Sequence, residues 1–277
     1  MIWRDWRYLT VGALLATSAG AQVTYVDTFE NNTNMGGWTF GSPNGFIDPA
    51  GGNPGAFYHD TYLDTYAPQP LTTKPSVFTG DYRANHVTRV GIDLITFRVD
   101  FGAGGRPLSV ILVSDNNTPG EPGDDWGAYF MGLRNVPWPG EGWLSYDFDV
   151  PSQSPSLPPA WKFIRFGPGA PSPDWPRLIG KVDQLRYFYG NPEGFLIFQV
   201  WDLGLDNPHI RRDGLRGDLN CDGVVNNFDI DPFVLALTNP HEYAKQYPHC
   251  ERMLADCNAD GKVDNFDIDP FVKLLTS

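Results

Sequence analysis

Cysteine is scarce: among 277 residues only Cys221, Cys250 and Cys257 are cysteines, and all lie in the last quarter of the chain. At most one intrachain disulfide can form, so everything before residue 221 must be held by its own core. Basic residues are few as well. Lys and Arg number 20 against 33 Asp and Glu, a formal charge of −13, so a nucleic acid or an anionic membrane would have to be bound against the protein's own field, which argues against both as partners. No apolar run in the rest of the chain approaches the roughly 20 residues that span a bilayer. Catalytic signatures are also missing: His59, His86 and His209 show no metal-ligand spacing, and no Gly-x-Ser-x-Gly elbow occurs.

What is plentiful is turn formers and aromatics. With 30 Gly, 25 Pro, 41% hydrophobic and 14% aromatic residues, the composition is that of a turn-rich β protein able to build a real core. The length points to about two domains, or one large β domain with a small appendage.

At the start, Arg4 and Arg7 precede the apolar stretch Tyr8 to Ala16, and Ala19-Gly20-Ala21 follows before Gln22. That order of charge, apolar core and small residues is a secretory leader, too short to anchor in a membrane. Residues 1–21 are therefore expected to be cleaved after Ala21, leaving a secreted, extracellular or cell-surface protein with 18 basic and 32 acidic residues.

From residue 22 to about 212 the pattern is short strands punctuated by Gly, Pro, Asn and Asp. Apolar side chains fall on every second position in Ile95 to Phe101 and in Leu144 to Val150, the period of a strand with one wet face. Pro107 to Ser114, Trp126 to Leu133, Phe163 to Phe166, Val182 to Tyr189 and Phe195 to Leu205 add further strands. Roughly ten strands without an internal repeat predict a mainly β fold, an antiparallel two-sheet sandwich of jelly-roll type.

Beyond residue 212 a different pattern begins, so 213–277 is read as a second, small helical domain. Gly217 to Leu237 matches Ala255 to Leu275 at 14 of 21 positions, and Asn-Phe-Asp-Ile-Asp-Pro-Phe-Val recurs unbroken at 227–234 and 265–272. Residues 217–277 carry a net charge of −7, as much as the far longer segment 22–216. In the first copy Asp218, Asn220, Asp222, Asn226 and Asp229 occupy loop positions 1, 3, 5, 9 and 12, with Gly223 at position 6. This is the register of an EF-hand-type calcium loop, in which oxygen side chains and the position-7 carbonyl of Val224 surround a hard cation that takes six to eight oxygens. Asp256, Asn258, Asp260, Gly261, the Lys262 carbonyl, Asp264 and Asp267 repeat it. Two Ca2+ ions are expected, in preference to Mg2+, which sheds its waters reluctantly.

The duplicated loops resemble type I dockerin modules, which pair each loop with one exiting helix and end the loop with Asp, as Asp229 and Asp267 do. The resemblance implies a fold built around two calcium ions and a cohesin-like partner protein or cell-surface component. It also implies partner contacts just after the loops, at Asn227, Phe228, Asn265 and Phe266, and the identical copies of these residues point to a twofold-symmetric module able to engage a partner through either half. The competing roles for these residues are core packing for the Phe and helix capping for the Asn. Pro232 and Pro270 depart from a plain exiting helix and predict a late or kinked start. Phe233, Val234 and Leu237, with Phe271, Val272 and Leu275, are expected to form the packed face. By the same resemblance Cys221 pairs with Cys250, with Cys250 to Cys257 as the near alternative.

In the large domain, Asp27 to Asn31 with Gly37-Trp38, and Trp201 to Asn207, look like the first and last strands of jelly-roll carbohydrate-binding modules and laminin-G-like sandwiches. That likeness implies a structural calcium shared by Glu30 and Asp206, with Asp27 in reserve. The alternative is that these acids decorate turns. Polysaccharide binding would use exposed aromatic faces, for which Trp126, Trp138, Trp143, Trp161 and Trp175 are candidates. Glu30, Glu121, Glu141 and Glu193 form no Glu-x-Asp-x-x-Glu strand motif of laminarinase-like hydrolases. The reading is thus a non-catalytic secreted module, with a polysaccharide hydrolase, whose carboxylate pair need only be close in space, and a structural adhesion protein as alternatives.

Overall fold

Alternation sets the walls of the molecule. In β8 (Leu144–Asp149) Tyr146 and Phe148 are buried while Ser145, Asp147 and Asp149 face solvent; β6 (Pro107–Ser114) is buried along almost its whole length, as befits a central strand. The computed structural model describes residues 22–101, 105–247, 250–258, 260 and 262–276. The expected leader and Gly261 lie outside the described residues. Two antiparallel sheets face each other. The first runs in the order β2 (Gly45–Gly52), β3 (Gly55–Thr65), β11 (Gln199–Asp213), β5 (Val87–Val99), β8, with β1 (Gln22–Val26) also paired to β11. The second runs β4 (Leu71–Thr73), β10 (Gln184–Tyr189), β6, β7 (Trp126–Asn135), β9 (Trp161–Arg165). The mainly β two-sheet sandwich is therefore the fold, followed by a small helical region.

Between the sheets Val90, Ile92 and Leu94 meet Val110, Leu112 and Tyr187, and Trp38, Trp126, Trp175 and Trp201 are fully enclosed. Each large apolar side chain so buried contributes about 1.5–3 kcal/mol, which is how a domain without a disulfide is held. The short helix α1 (Trp175–Ile179) closes one end, capped by the Asp174 carboxylate.

Several strand expectations are corrected. The strand around Ile95 starts at Val87, and its inward residues are Ile92, Leu94 and Thr96; Phe97 is 42% exposed on the outer face. The last strand begins at Gln199 and leaves Phe195 to Phe198 outside it. The hairpin β2–β3, rich in Gly and Pro, carries no clean alternation and was not foreseen.

In the tail, α2 (Ile230–Thr238) and α4 (Ile268–Leu275) follow the two loops, and α3 (Pro240–Gln246) lies in the connector. Phe233 stacks on Phe271 with ring centres 4.0 Å apart and planes at 6°, joining the two copies. Leu219, Ala236, Tyr243, Leu254 and Ala255 complete a core separate from that of the sandwich. Val234 and Val272 are each 50% exposed and do not join it, contrary to expectation. Nor do the prolines delay the helices. Pro232 and Pro270 are third residues of α2 and α4, in the first turn, where a missing N–H costs nothing. No helix among the described residues is long and apolar enough to cross a membrane.

Candidate functional site

Among the described residues, three clusters bear on the candidate site residues. The first is the pair of tail loops, which fold alike. Asp229 is fully buried; its Oδ1 accepts from the N–H of Leu219 (2.7 Å) and Asn220 (3.1 Å), and its Oδ2 from Asn226 N–H (2.8 Å). Asp267 repeats this with Asn258 N–H (3.0 Å) and Asp264 N–H (2.9 Å). Asp218 accepts from the N–H of Asp222 and Gly223, and Asp256 from Asp260 N–H. Asn220 and Asn258 accept from Asp222 and Asp260 N–H, both at 2.9 Å. Val224 and Lys262 donate their N–H to Asp222 and Asp260, again at 2.9 Å. Burial pushes the Asp218 carboxyl up to about 6, with Asp229 and Asp222 adding to it, and raises Asp229 as well. Among the described residues no three His, Cys, Asp or Glu side chains are already gathered into a metal cage; the loop oxygens turn to their own amides. The donor set is nonetheless oxygen only, and two carboxylates per loop are buried, which is the chemistry a hard cation takes.

Asn227 and Asn265 are not the caps. Asn226 and Asp264 cap the short turns Asn227–Asp229 and Asn265–Asp267, each in a reciprocal box with the loop's last Asp. Phe228 and Phe266 are 78% and 77% exposed, so neither packs in the core. Cys221 and Cys250 form a disulfide with Cα atoms 5.6 Å apart, and Cys257 is free.

The second place is the β2–β3 turn. Glu30 accepts from Ala56 N–H at 3.0 Å, Asp206 from the N–H of Asn53 and Asn207, and Asp93 from the side chains of Asn53 (3.0 Å) and Asn207 (2.9 Å). Glu30 and Asp206 thus meet on one hairpin, whereas Asp27 accepts from Gly36 and Phe29 N–H and closes its own loop. Gly55, at φ +88°, sits in a conformation that strains any L side chain, and a Cβ there would also displace Glu30 Oε1, 1.9 Å away. Burial, with Asp93 and Glu30 beside it, pushes the Asp206 carboxyl up to about 7.

The third place, unforeseen in the sequence, is the outer face of the six-stranded sheet. Phe46 on β2 lies opposite His59 on β3, and Gly204 on β11 lies between His59 and Ile95 on β5. The absence of a Gly204 side chain makes room for a ring: a Cβ there would be 2.6 Å from Phe57. Around His59 stand Phe46 (5.3 Å between centres), Phe57 (5.0 Å) and Phe97 (5.0 Å), and Trp143 packs edge-on to Phe57 at 5.3 Å. Phe57 is the buried floor, while Phe46 and Phe97 are 45% and 42% exposed. His59 Nε2 is 2.8 Å from Asp202 and Nδ1 3.5 Å from Asp48, and Trp143 Nε1 donates to Gly51 O at 2.9 Å. The result is an apolar aromatic strip edged by carboxylates and fixed in orientation by polar contacts. Of the tryptophans considered above, Trp126, Trp161 and Trp175 are core, Trp138 is 39% exposed, and Trp143 alone joins this strip.

No protein-family model matches the chain, and no curated protein matches it. Among solved structures it is similar to the family 11 carbohydrate-binding module from Clostridium thermocellum in complex with a β-1,3-1,4-mixed-linked tetrasaccharide, at 15% identity over 68% of this chain and 94% of that one, TM-score 0.41. It is also similar to an exo-β-agarase, at 12% identity over 69% of this chain and 25% of that one, TM-score 0.37. A third is a module specific for non-crystalline cellulose, at 11% identity over 65% and 89%, TM-score 0.25. These likenesses carry no ligand to this chain.

Proposed function

We propose that this is a secreted, non-catalytic module that binds a polysaccharide on the aromatic strip and is attached to a partner by its calcium-dependent tail. The observation that carries the reading is the Phe46, His59, Phe97 strip. A sugar ring stacks its apolar face on exposed aromatic rings while its hydroxyls seek polar neighbours, and Asp48 and Asp202 flank the same rings. Three oriented aromatic groups need no rearrangement to receive a ligand, which lowers the entropic cost of binding.

In the tail, Asp218, Asn220, Asp222, the Val224 carbonyl, Asn226 and Asp229 would hold one Ca2+, and Asp256, Asn258, Asp260, the Lys262 carbonyl, Asp264 and Asp267 the other. Bound calcium supplies positive charge that offsets the repulsion of the gathered carboxylates. Glu30 and Asp206, with Asp93 adjacent, are the groups for a further structural calcium on the β2–β3 turn. Asn227, Phe228, Asn265 and Phe266 are the contacts offered to a cohesin-like partner, and the exposure of both Phe rings supports that role.

The test is binding of the full chain to a panel of β-glucans, xylans and galactans by calorimetry, beside Phe46→Ala and Phe97→Ala. Binding of one class, weakened about tenfold by either substitution, is expected from the loss of one stacked ring. Native protein that binds none of them, or release of reducing sugar from the panel, would overturn the reading.

A further inference from the structure

The sandwich is not closed at every edge. β8 ends the first sheet, and β9 pairs only with Trp126 to Phe130 of β7, so the second half of β7 runs on without it. Between these edges opens a cleft of about 610 Å3, within the usual range of about 300–1,000 Å3 for small-ligand sites. Its inner wall is aromatic: Phe130 lies 6.3 Å from Phe148 and 5.9 Å from Trp161, ring centre to ring centre. Pro151 and Pro159 stand at the sides, and the fully exposed Leu133 stands at the mouth. Gly132 permits this arrangement, since a Cβ there would be 3.0 Å from Phe148.

Around the opening the polar groups are paired among themselves. Asp149 takes Arg89 at 2.7 Å, Asp147 takes His209 at 3.0 Å, and Arg134 donates to Ser145 O at 3.0 Å while lying over the Tyr146 ring. An ionic ligand would have to break these pairs. A neutral, hydroxyl-rich ligand need not, because the carboxylates and the guanidinium keep further lone pairs and N–H groups for it. Strand addition by an extended peptide is disfavoured by the same features, as the β8 carbonyl of Ser145 is already taken by Arg134 and prolines flank the gap.

The geometry points to a second saccharide site in this cleft, separate from the aromatic strip and selective for neutral sugar units. It shares with the proposed function only the class of ligand. Its residues are Phe130 and Leu133 for the apolar face of a sugar, with the buried Trp161 backing Phe130, and Arg134, Asp147 and Asp149 for its hydroxyls. A chain engaged at both places would be held by two linked contacts, which raises avidity without tighter binding at either.

The experiment is amide chemical-shift mapping of the full chain titrated with neutral hexasaccharides of the gluco, xylo and galacto series, with hexagalacturonate and an extended valine-threonine peptide alongside. One neutral hexasaccharide is expected to shift the amides of Leu133, Ser145 and Asp147, in the native protein and equally in a Phe46→Ala/Phe97→Ala double variant. Arg134→Ala should weaken the response at these amides about tenfold, the worth of one charged hydrogen bond, and leave the response around Phe97 unchanged. Shifts confined to the strip would overturn the cleft and spare the proposed function. Shifts confined to the cleft would do the reverse. A cleft that answers only to the acidic sugar or the peptide, or to nothing, refutes the second site.

Discussion

Replacing Asp229 tests the tail most severely. The carboxylate is completely enclosed and accepts from three main-chain amides, those of Leu219, Asn220 and Asn226. In Asp229→Ala all three donors lose their acceptor, at about 1–3 kcal/mol each where they stay dry, and the loop loses its position-12 oxygen. Asp229→Asn keeps the oxygen facing Leu219 and Asn220 but sets an NH2 group against Asn226 N–H, so roughly one such contact is lost. A loss of 3 kcal/mol or more in a domain of about 60 residues lowers its melting temperature by at least about 12 °C, and a core this small has little stability to spare. Calorimetry and circular dichroism of the full chain should therefore show two transitions. The lower one, from the tail, should fall on chelation and fall again in Asp229→Ala, with Asp229→Asn intermediate; the sandwich transition should hold. A calcium titration should count two tail sites in the native chain and one in Asp229→Ala. An unchanged helical signal under chelation, or two tail sites surviving in the variant, would refute the reasoning.

Two further outcomes are expected. Gly204→Ala drives a methyl group to within 2.6 Å of the Phe57 ring; it should cost about 1–3 kcal/mol by overpacking and weaken glycan binding, and a variant with native melting and affinity would show that the ring contact is not what fixes the strip. Phe228→Ala with Phe266→Ala should leave melting within about 0.5 kcal/mol, as surface substitutions do, yet remove capture of a cohesin-like partner that either single variant retains; retention by the double variant would place the partner elsewhere.

What the sequence could tell depended on how local the information was. The oxygens proposed for calcium fall within twelve positions, and a second copy in the same register repeats them, so Asp218 to Asp229 and Asp256 to Asp267 can be named one by one as candidates from the sequence. The exiting prolines do not delay the helices because pre-proline restriction is only one of two influences: each proline is the third residue of its helix, in a first turn where the N–H it lacks has no partner to lose. The roles of Phe228 and Phe266 turned on exposure, which a repeat does not encode.

The aromatic strip was illegible for a different reason. Its members come from β2, β3, β5, β11 and the approach to β8, and beyond the β2–β3 hairpin no short window of sequence holds two strands of it. Period-2 alternation separates the faces of a strand without saying which is inside, and β5 has apolar residues on both: Ile92 and Leu94 face the core, while Ile95 and Phe97 point outward. Counting hydrophobicity favours neither. A usable signal was nevertheless present in the conflict itself, since a strand with only one dry face has no use for apolar residues on the other unless something packs there. His59, Phe57 and Gly204, set side by side by the register of β3 and β11, are what pack there, and the glycine in the middle of a long strand marks the place where a ring lies flat against the backbone.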